Sequence, residues 1–387
     1  MRLFARSGGR GSSKAGLFLL RKHLKFVALC LVAGLALWWF GRGMDWDRAW
    51  EAMRRADWPL VALAVSVVCA TCLIRALRWK TLLRPLAPDA SLREAFAATC
   101  VGFSAIFLLG RAGEVVRPAF LPLRDRAVKP GAAFVTIALE RICDTAFVVL
   151  LFAANLLFVR LPGVDEASFA QVRNAGLLMF AATVLGLGAL YWFGRRAEGV
   201  TAWAEARAVR LPRFLRKAGG LVVGLLGQLG RTLAVLAGGR ALVVTAGWTA
   251  ALWASITLAN MFVLRAFGLG VGPSETVFVL GWSLIGSVVP TPGAGAGTYH
   301  AATAFGLTHY LSYPAGDVQP AVIILHLVVF GSPLLFGLYY FVRSGFSVAR
   351  LRELIAAEEA EAQAEGRAAS AHEGTGETAG AARAANA

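Results

Sequence analysis

An all-α polytopic membrane protein is the fold class this sequence predicts, and three observations predict it. Of 387 residues, 57% are hydrophobic and 16% charged, whereas a soluble domain carries roughly 25% charged residues. Apolar runs long enough to cross a bilayer, about 20 residues or somewhat fewer with snorkelling flanks, recur along the chain. The basic residues, which give a net charge of +16, gather in short stretches beside those runs. Such placement reads as topology and contact with anionic headgroups, and it argues against nucleic acid as a partner.

The elements follow in order. A basic N-terminal stretch, 1–23, precedes a first apolar run at 24–41. That pair resembles a signal peptide, but "LWWFGRGMD" has no small-x-small cleavage site, so an uncleaved first span is expected. Further full spans are expected at 59–77, 145–159 with its upstream extension, 175–194, 241–267 and 321–342. Two other regions are apolar but broken: 95–121, interrupted from Gly110 to Pro118, and 275–312, interrupted by "VVPTPGAGAGTYH". The segment 44–59, with Trp46, Trp50 and Trp58 among mixed charges, reads as an interfacial amphipathic helix. Residues 213–240 carry Arg231 near the middle of a Gly-rich apolar run. A central arginine costs about 2.5–3.5 kcal/mol on insertion, so an interfacial or cytoplasm-facing helix is expected there. The membrane domain covers 24–345, and the Ala/Glu/Gly-rich tail at 346–387 is expected to be largely disordered.

Counting basic residues sets the threading. Lys and Arg number seven in 2–25, five in 75–93, five in 111–129 and seven in 195–217, with Arg343, Arg350 and Arg352 opening the tail. If these stretches face the cytoplasm, 95–121 is basic at both ends and must enter and return on one side. The same counting makes 275–312 enter and return from the other. The prediction is therefore about six spans plus two oppositely oriented re-entrant helix-loop elements, an arrangement open to an inverted repeat. Paired interruptions of this kind point to a transport site, because non-helical backbone at that depth is buried in protein or lines a wet cavity.

Three charged or broken motifs carry the candidate chemistry. "FLLGRAGEVVRPAF" (107–120) sets Arg111, Glu114 and Arg117 among helix breakers. Ionisable residues inside a membrane are costly and suggest function. Two guanidiniums around one carboxylate leave an excess positive charge suited to phosphate. The alternative is a self-satisfying ion cluster that holds the turn. In "ALERICDTAF", Glu140, Arg141 and Asp144 share a helix face. They are expected just inside the cytoplasmic boundary, where Glu140 or Asp144 can meet Arg111 or Arg117. In the third motif, Pro290 and Pro292 end a helix, and Gly293, Gly295 and Gly297 allow close backbone approach. Free N–H groups opening the next helix favour an anion. Tyr299 and His300 add polar tips, although a lone histidine is more often structural. Arg75, Arg78, His326 and Pro333 read as packing, kink and interface anchoring, and Asn260 as interhelical glue.

The five cysteines all lie in apolar segments, and Cys69-x-x-Cys72 has no second ligand pair, so no metal and no redox role is expected. No cofactor is expected either.

Together, Arg78-Trp79, the Gly110/Arg111/Gly113/Glu114/Arg117 segment, the Glu140/Arg141/Asp144 helix and the Pro290/Pro292/Gly293 loop resemble one family. This is the membrane region of lysylphosphatidylglycerol synthases and its stand-alone flippase-like (UPF0104) relatives. The resemblance covers roughly residues 20–345. The chain departs from it at Ala294, where the family has a second glycine, and at Tyr299 or His300, where the family tends to have glutamate. No counterpart of the aminoacyl-transferase domain of the full synthases is expected, so no tRNA-dependent synthesis is implied.

What the resemblance implies is lipid translocation between leaflets: a flippase- or scramblase-like transporter of an anionic or polyprenyl-linked phospholipid, not an enzyme. With no nucleotide-binding motif, movement would run down a gradient or couple to protons through Glu114, Glu140, Asp144 or His300. The alternatives are a membrane-embedded lipid-modifying transferase, against which no nucleophile–base pair stands out, and a non-catalytic partner subunit in envelope lipid synthesis. The expected location is a bacterial inner membrane with both termini cytoplasmic. Assembly into a homo-oligomer stays open.

Overall fold

The computed structural model describes residues 46–156, 166–208, 240–289 and 291–344, together with 223–230 and positions 38, 220, 233 and 353. The expected first span at 24–41 (Trp38 apart), the N-terminus, Pro290, most of 213–240 and nearly all of the tail lie outside the described residues. Among the described residues every regular element is helical. The protein is an all-α polytopic membrane protein.

Helix α1 (Trp46–Arg55) is the short amphipathic helix expected near 44–59. Ala49 is buried, Trp46 and Trp50 are exposed, and Glu51 pairs with Arg55 one turn on. Helix α2 (Trp58–Leu83) starts cleanly because the Asp57 carboxylate accepts the Leu60 N–H at 3.1 Å and Pro59 occupies the first turn, where a missing N–H costs nothing.

The first broken region folds as a hairpin. Its arms are α3 (Leu92–Leu109) and α4 (Val116–Arg124), joined by a 3-10 segment at Gly110–Val115. The base is closed by Arg124, which forks Glu94 at 2.7 and 3.2 Å, and by Asp125, which accepts the Ser91 N–H at 2.7 Å. Higher up, a Cβ on Gly102 would come within 2.6 Å of the Arg117 Cβ, so glycine is what lets the arms close.

Helix α5 (Pro130–Asn155) follows, then the long α6 (Glu166–Ala208), broken at Arg196. The segment Arg173–Ala197 has only 6% of its most apolar stretch buried, as suits a helix facing hydrocarbon. Helix α7 (Arg240–Ala266) leads into the second hairpin, formed by α8 (Pro273–Ser287), a turn at Pro292–Gly295 and α9 (Thr298–Phe305), which runs on into a π-turn at Gly306–Tyr310. Thr303 donates to Ser283 at 2.9 Å across its arms, and Trp282 stacks on Tyr310. The last apolar stretch, Ala315–Val342, comprises α10 (Ala315–His326), a π-turn at Leu327–Gly331 and α11 (Leu334–Val342).

The two hairpins point at each other. Near the start of α5, the Val128 N–H donates to Asp125 at the base of the first; at its end, Asn155 exchanges hydrogen bonds with Ser274 at the base of the second. A 26-residue helix at 1.5 Å per residue holds the bases about 39 Å apart. Between them the Pro292–Gly295 turn packs on α3 and the 3-10 segment. The order span, hairpin, span therefore occurs twice (α2, α3–α4, α5; then α7, α8–α9, α10–α11). The central spans α2 and α7 are antiparallel: Asp57 N–H donates to the Ala266 carbonyl at 2.9 Å at one end, and Arg78 reaches Thr249 near the other.

Five described stretches are long and apolar enough to cross a membrane: Trp58–Leu83, Leu92–Leu109, Arg173–Ala197, Arg240–Ala266 and Ala315–Val342. Leu92–Leu109 is also the first arm of the first hairpin. Helix α5 matches the spans in length but carries three charged residues, and these turn out to be central.

Candidate functional site: a buried ion network beside an amphipathic cavity

Helices α2, α4, α5 and α7 converge on a charge network. Arg78 is fully buried; its guanidinium grips Asp144 bidentately at 2.5 and 3.0 Å and also reaches Glu140 at 3.1 Å and Thr249 at 3.2 Å. Arg117 donates to the same Glu140 oxygen at 2.5 Å, approaches the Arg75 carbonyl at 3.5 Å and lies over the Trp79 ring at 4.3 Å. The Trp253 indole N–H donates to Asp144 at 3.2 Å. Buried charges are tolerated when paired and hydrogen-bonded; two arginines against two carboxylates supply the pairing, while Nε of Arg78, Nε of Arg117 and the second Glu140 oxygen have no hydrogen-bond partner among the described residues. The network ties the returning arm of the first hairpin to α2, α5 and α7.

Trp79 anchors it from behind. Its indole N–H donates to Thr136 at 3.0 Å, and both residues are inaccessible to solvent. Thr136→Val keeps the shape but orphans that N–H. We expect it to lower stability by about 1–3 kcal/mol, read as a loss of melting temperature in detergent.

Beside the network lies a cavity of about 210 Å³ between the two hairpins. One part of its wall is charged, with Arg75, Arg141, Asp144 and Glu114; another is apolar, with Phe103, Ile106, Leu280 and Phe330; the second hairpin adds Ala294, Gly295 and Tyr299. Asn260 also lines it. Its amide N–H donates to the Ile256 carbonyl at 2.8 Å, and its buried side-chain oxygen has no partner among the described residues. A wall that is charged in one part and apolar in the rest matches an amphiphile.

The second hairpin presents backbone to this cavity. Gly293, Ala294 and Gly295 have φ of +71°, +54° and +89°, a left-handed run that glycine adopts freely and alanine only at a cost of about 1–2 kcal/mol. This chain bears that cost at Ala294. The N–H groups of Gly295 and Ala296 donate to Thr291 and Gly293 carbonyls, and Gly297 donates to Nδ1 of His300 at 3.1 Å. Those three groups are therefore engaged within the loop rather than offered to an anion. His300 acts as a helix cap, packed against Tyr299 and His326.

The sequence-derived candidates thus divide. Glu114, Arg141, Asp144, Gly295 and Tyr299 line the cavity. Arg117 and Glu140 sit behind it in the ion network, in the contact anticipated between the two charged motifs. Gly293 and His300 belong to the loop's own scaffold. The Arg111 and Pro292 side chains lie outside the described residues. Glu140 and Asp144 stand near the middle of α5 rather than at its edge, because the helix already begins at Pro130. Arg78, read from sequence as an interface anchor, is instead the hub of the network, and Arg75 faces the cavity. The available signal was their i,i+3 spacing on one face of "LIRALRWK", followed by a tryptophan.

The chain resembles known membrane proteins. A UPF0104 membrane protein of Pyrococcus horikoshii is 27% identical over 146 residues, 36% of this chain and 41% of that protein. The chain thus spans about two fifths of the length of that curated relative. No solved structure matches the chain. The family model for the lysylphosphatidylglycerol synthase TM region matches residues 26–337, which take in both hairpins, the ion network and the cavity, and the chain belongs to that family.

Proposed function

We propose that this protein moves a phospholipid, anionic or polyprenyl-linked, between the leaflets of a bacterial inner membrane, with both termini on the cytoplasmic side. The observation that carries the reading is the cavity, which lies where the tips of two oppositely directed hairpins meet and is lined by charge in one part and apolar side chains elsewhere. A lipid crossing a bilayer needs this combination, since its headgroup must find polar partners while its chains stay in apolar surroundings. Translocation also needs no nucleophile–base pair, which favours transport over a lipid-modifying reaction.

The test is reconstitution with fluorescent phospholipids and dithionite quenching. Wild-type protein should make inner-leaflet lipid accessible, and Glu114→Gln and Arg111→Ala should abolish that acceleration. Rates equal to those of empty liposomes, across anionic and polyprenyl lipids, sink the transport reading. Appearance of a modified lipid from a donor lipid would select the transferase instead.

A further inference from the structure

We propose that Arg75 is the headgroup-binding residue of the cavity and takes the phosphate-ester anion of a lipid there. This rests on the translocation reading and goes beyond it by separating the arginine that binds from those that only hold the frame.

Each arginine around the network has a different set of partners. Arg78 and Arg117 are engaged by Glu140 and Asp144. Arg141 is 41% exposed at the side chain, and its nearest carboxylate oxygen stands at 3.9 Å. Arg75 is 9% exposed, lines the cavity and lies over Phe103 at 4.5 Å. Among the described residues no carboxylate comes within 4 Å of it and no acceptor takes its N–H groups. A buried guanidinium without a partner is costly, so its retention at the wall of a cavity points to a ligand that completes it.

The charge balance gives the ligand's class. Asp144 is matched by the fork of Arg78 and Glu140 by Arg117, so the positive charge of Arg75 at the cavity wall has no carboxylate within 4 Å among the described residues. A single phosphate-ester anion supplies the opposite charge, and its oxygens accept from the planar fork of Arg75. The volume of about 210 Å³ is below the roughly 300 Å³ at which drug-sized pockets begin. A small headgroup fits that space, with its chains leaving along the apolar part of the wall.

Arg75→Gln decides the matter in the full chain purified in non-ionic detergent, titrated with phosphatidylglycerol and followed by native mass spectrometry. Loss of a charge-assisted contact should weaken retention about tenfold or more, with Arg75→Lys in between. The melting temperature of lipid-free Arg75→Gln should equal or exceed that of wild type, because an unpaired buried charge has been removed. Undiminished lipid retention by Arg75→Gln overturns the proposal. So does a lowered melting temperature with Arg75→Lys rescuing stability but not binding, the signature of a merely structural arginine. Binding of sn-glycerol 3-phosphate that depends on Arg75, with no lipid retained, would make the ligand a soluble phosphate ester and overturn the lipid assignment. Wild-type protein that retains lipid through Arg75 but moves none upholds this assignment and fails translocation. Translocation undiminished in Arg75→Gln fails this assignment alone.

Discussion

Glu140→Gln should destabilise this protein more than any other single substitution in the ion network, by about 3–5 kcal/mol, the usual cost of removing one partner from a buried pair. One oxygen of Glu140 holds Arg117 at 2.5 Å and Arg78 at 3.1 Å. Without the charge, Arg78 keeps Asp144, but Arg117 stays almost fully buried with only Trp79 and a distant carbonyl. Thermal unfolding in detergent reads the loss. The double variant Arg117→Met/Glu140→Leu should recover most of it, since apolar groups of similar volume replace buried ion pairs at little cost. A double variant no more stable than Glu140→Leu alone would contradict the account.

The second large effect should come from Gly113→Ala. A Cβ there would stand 2.3 Å from the Ala105 carbonyl carbon, and 2.4 Å from both its oxygen and the Ile106 nitrogen. All three are backbone atoms, so no side-chain rotation relieves the clash and the tip of the first hairpin must move away from α3. Overpacking of buried sites costs about 1–3 kcal/mol, occasionally more, and here it also displaces the segment that carries Glu114. We expect a lowered melting temperature and loss of lipid flipping together. Gly186→Ala is the control: the added methyl meets nothing within 4 Å, so both readouts should match wild type.

Much of the fold was legible because membrane spans advertise themselves locally. An apolar run either reaches the required length or does not, and basic flanks bias its direction. The two hairpins were legible for the same reason: basic residues at both ends of 95–121, and prolines and glycines inside 275–312, leave few ways to thread the chain. The pairing of Arg117 with Glu140 could be anticipated because charges in hydrocarbon must find partners. Which arginine has no carboxylate partner among the described residues could not. Arg75 and Arg78 are three residues apart on one helix, with similar flanks, yet one is matched by Asp144 and the other faces a cavity.

The sequence by itself thus determined the helical membrane fold, the two breaks and the set of charges that must sit at depth, all of which follow from the cost of exposing polar groups to lipid. Only the tertiary structure decided how those charges pair and where the cavity opens. That outcome depends on the rotation of α2, α5 and α7 about their axes and on how closely the hairpin tips approach. Both are set by side-chain packing between segments far apart in the chain, where local composition carries no record.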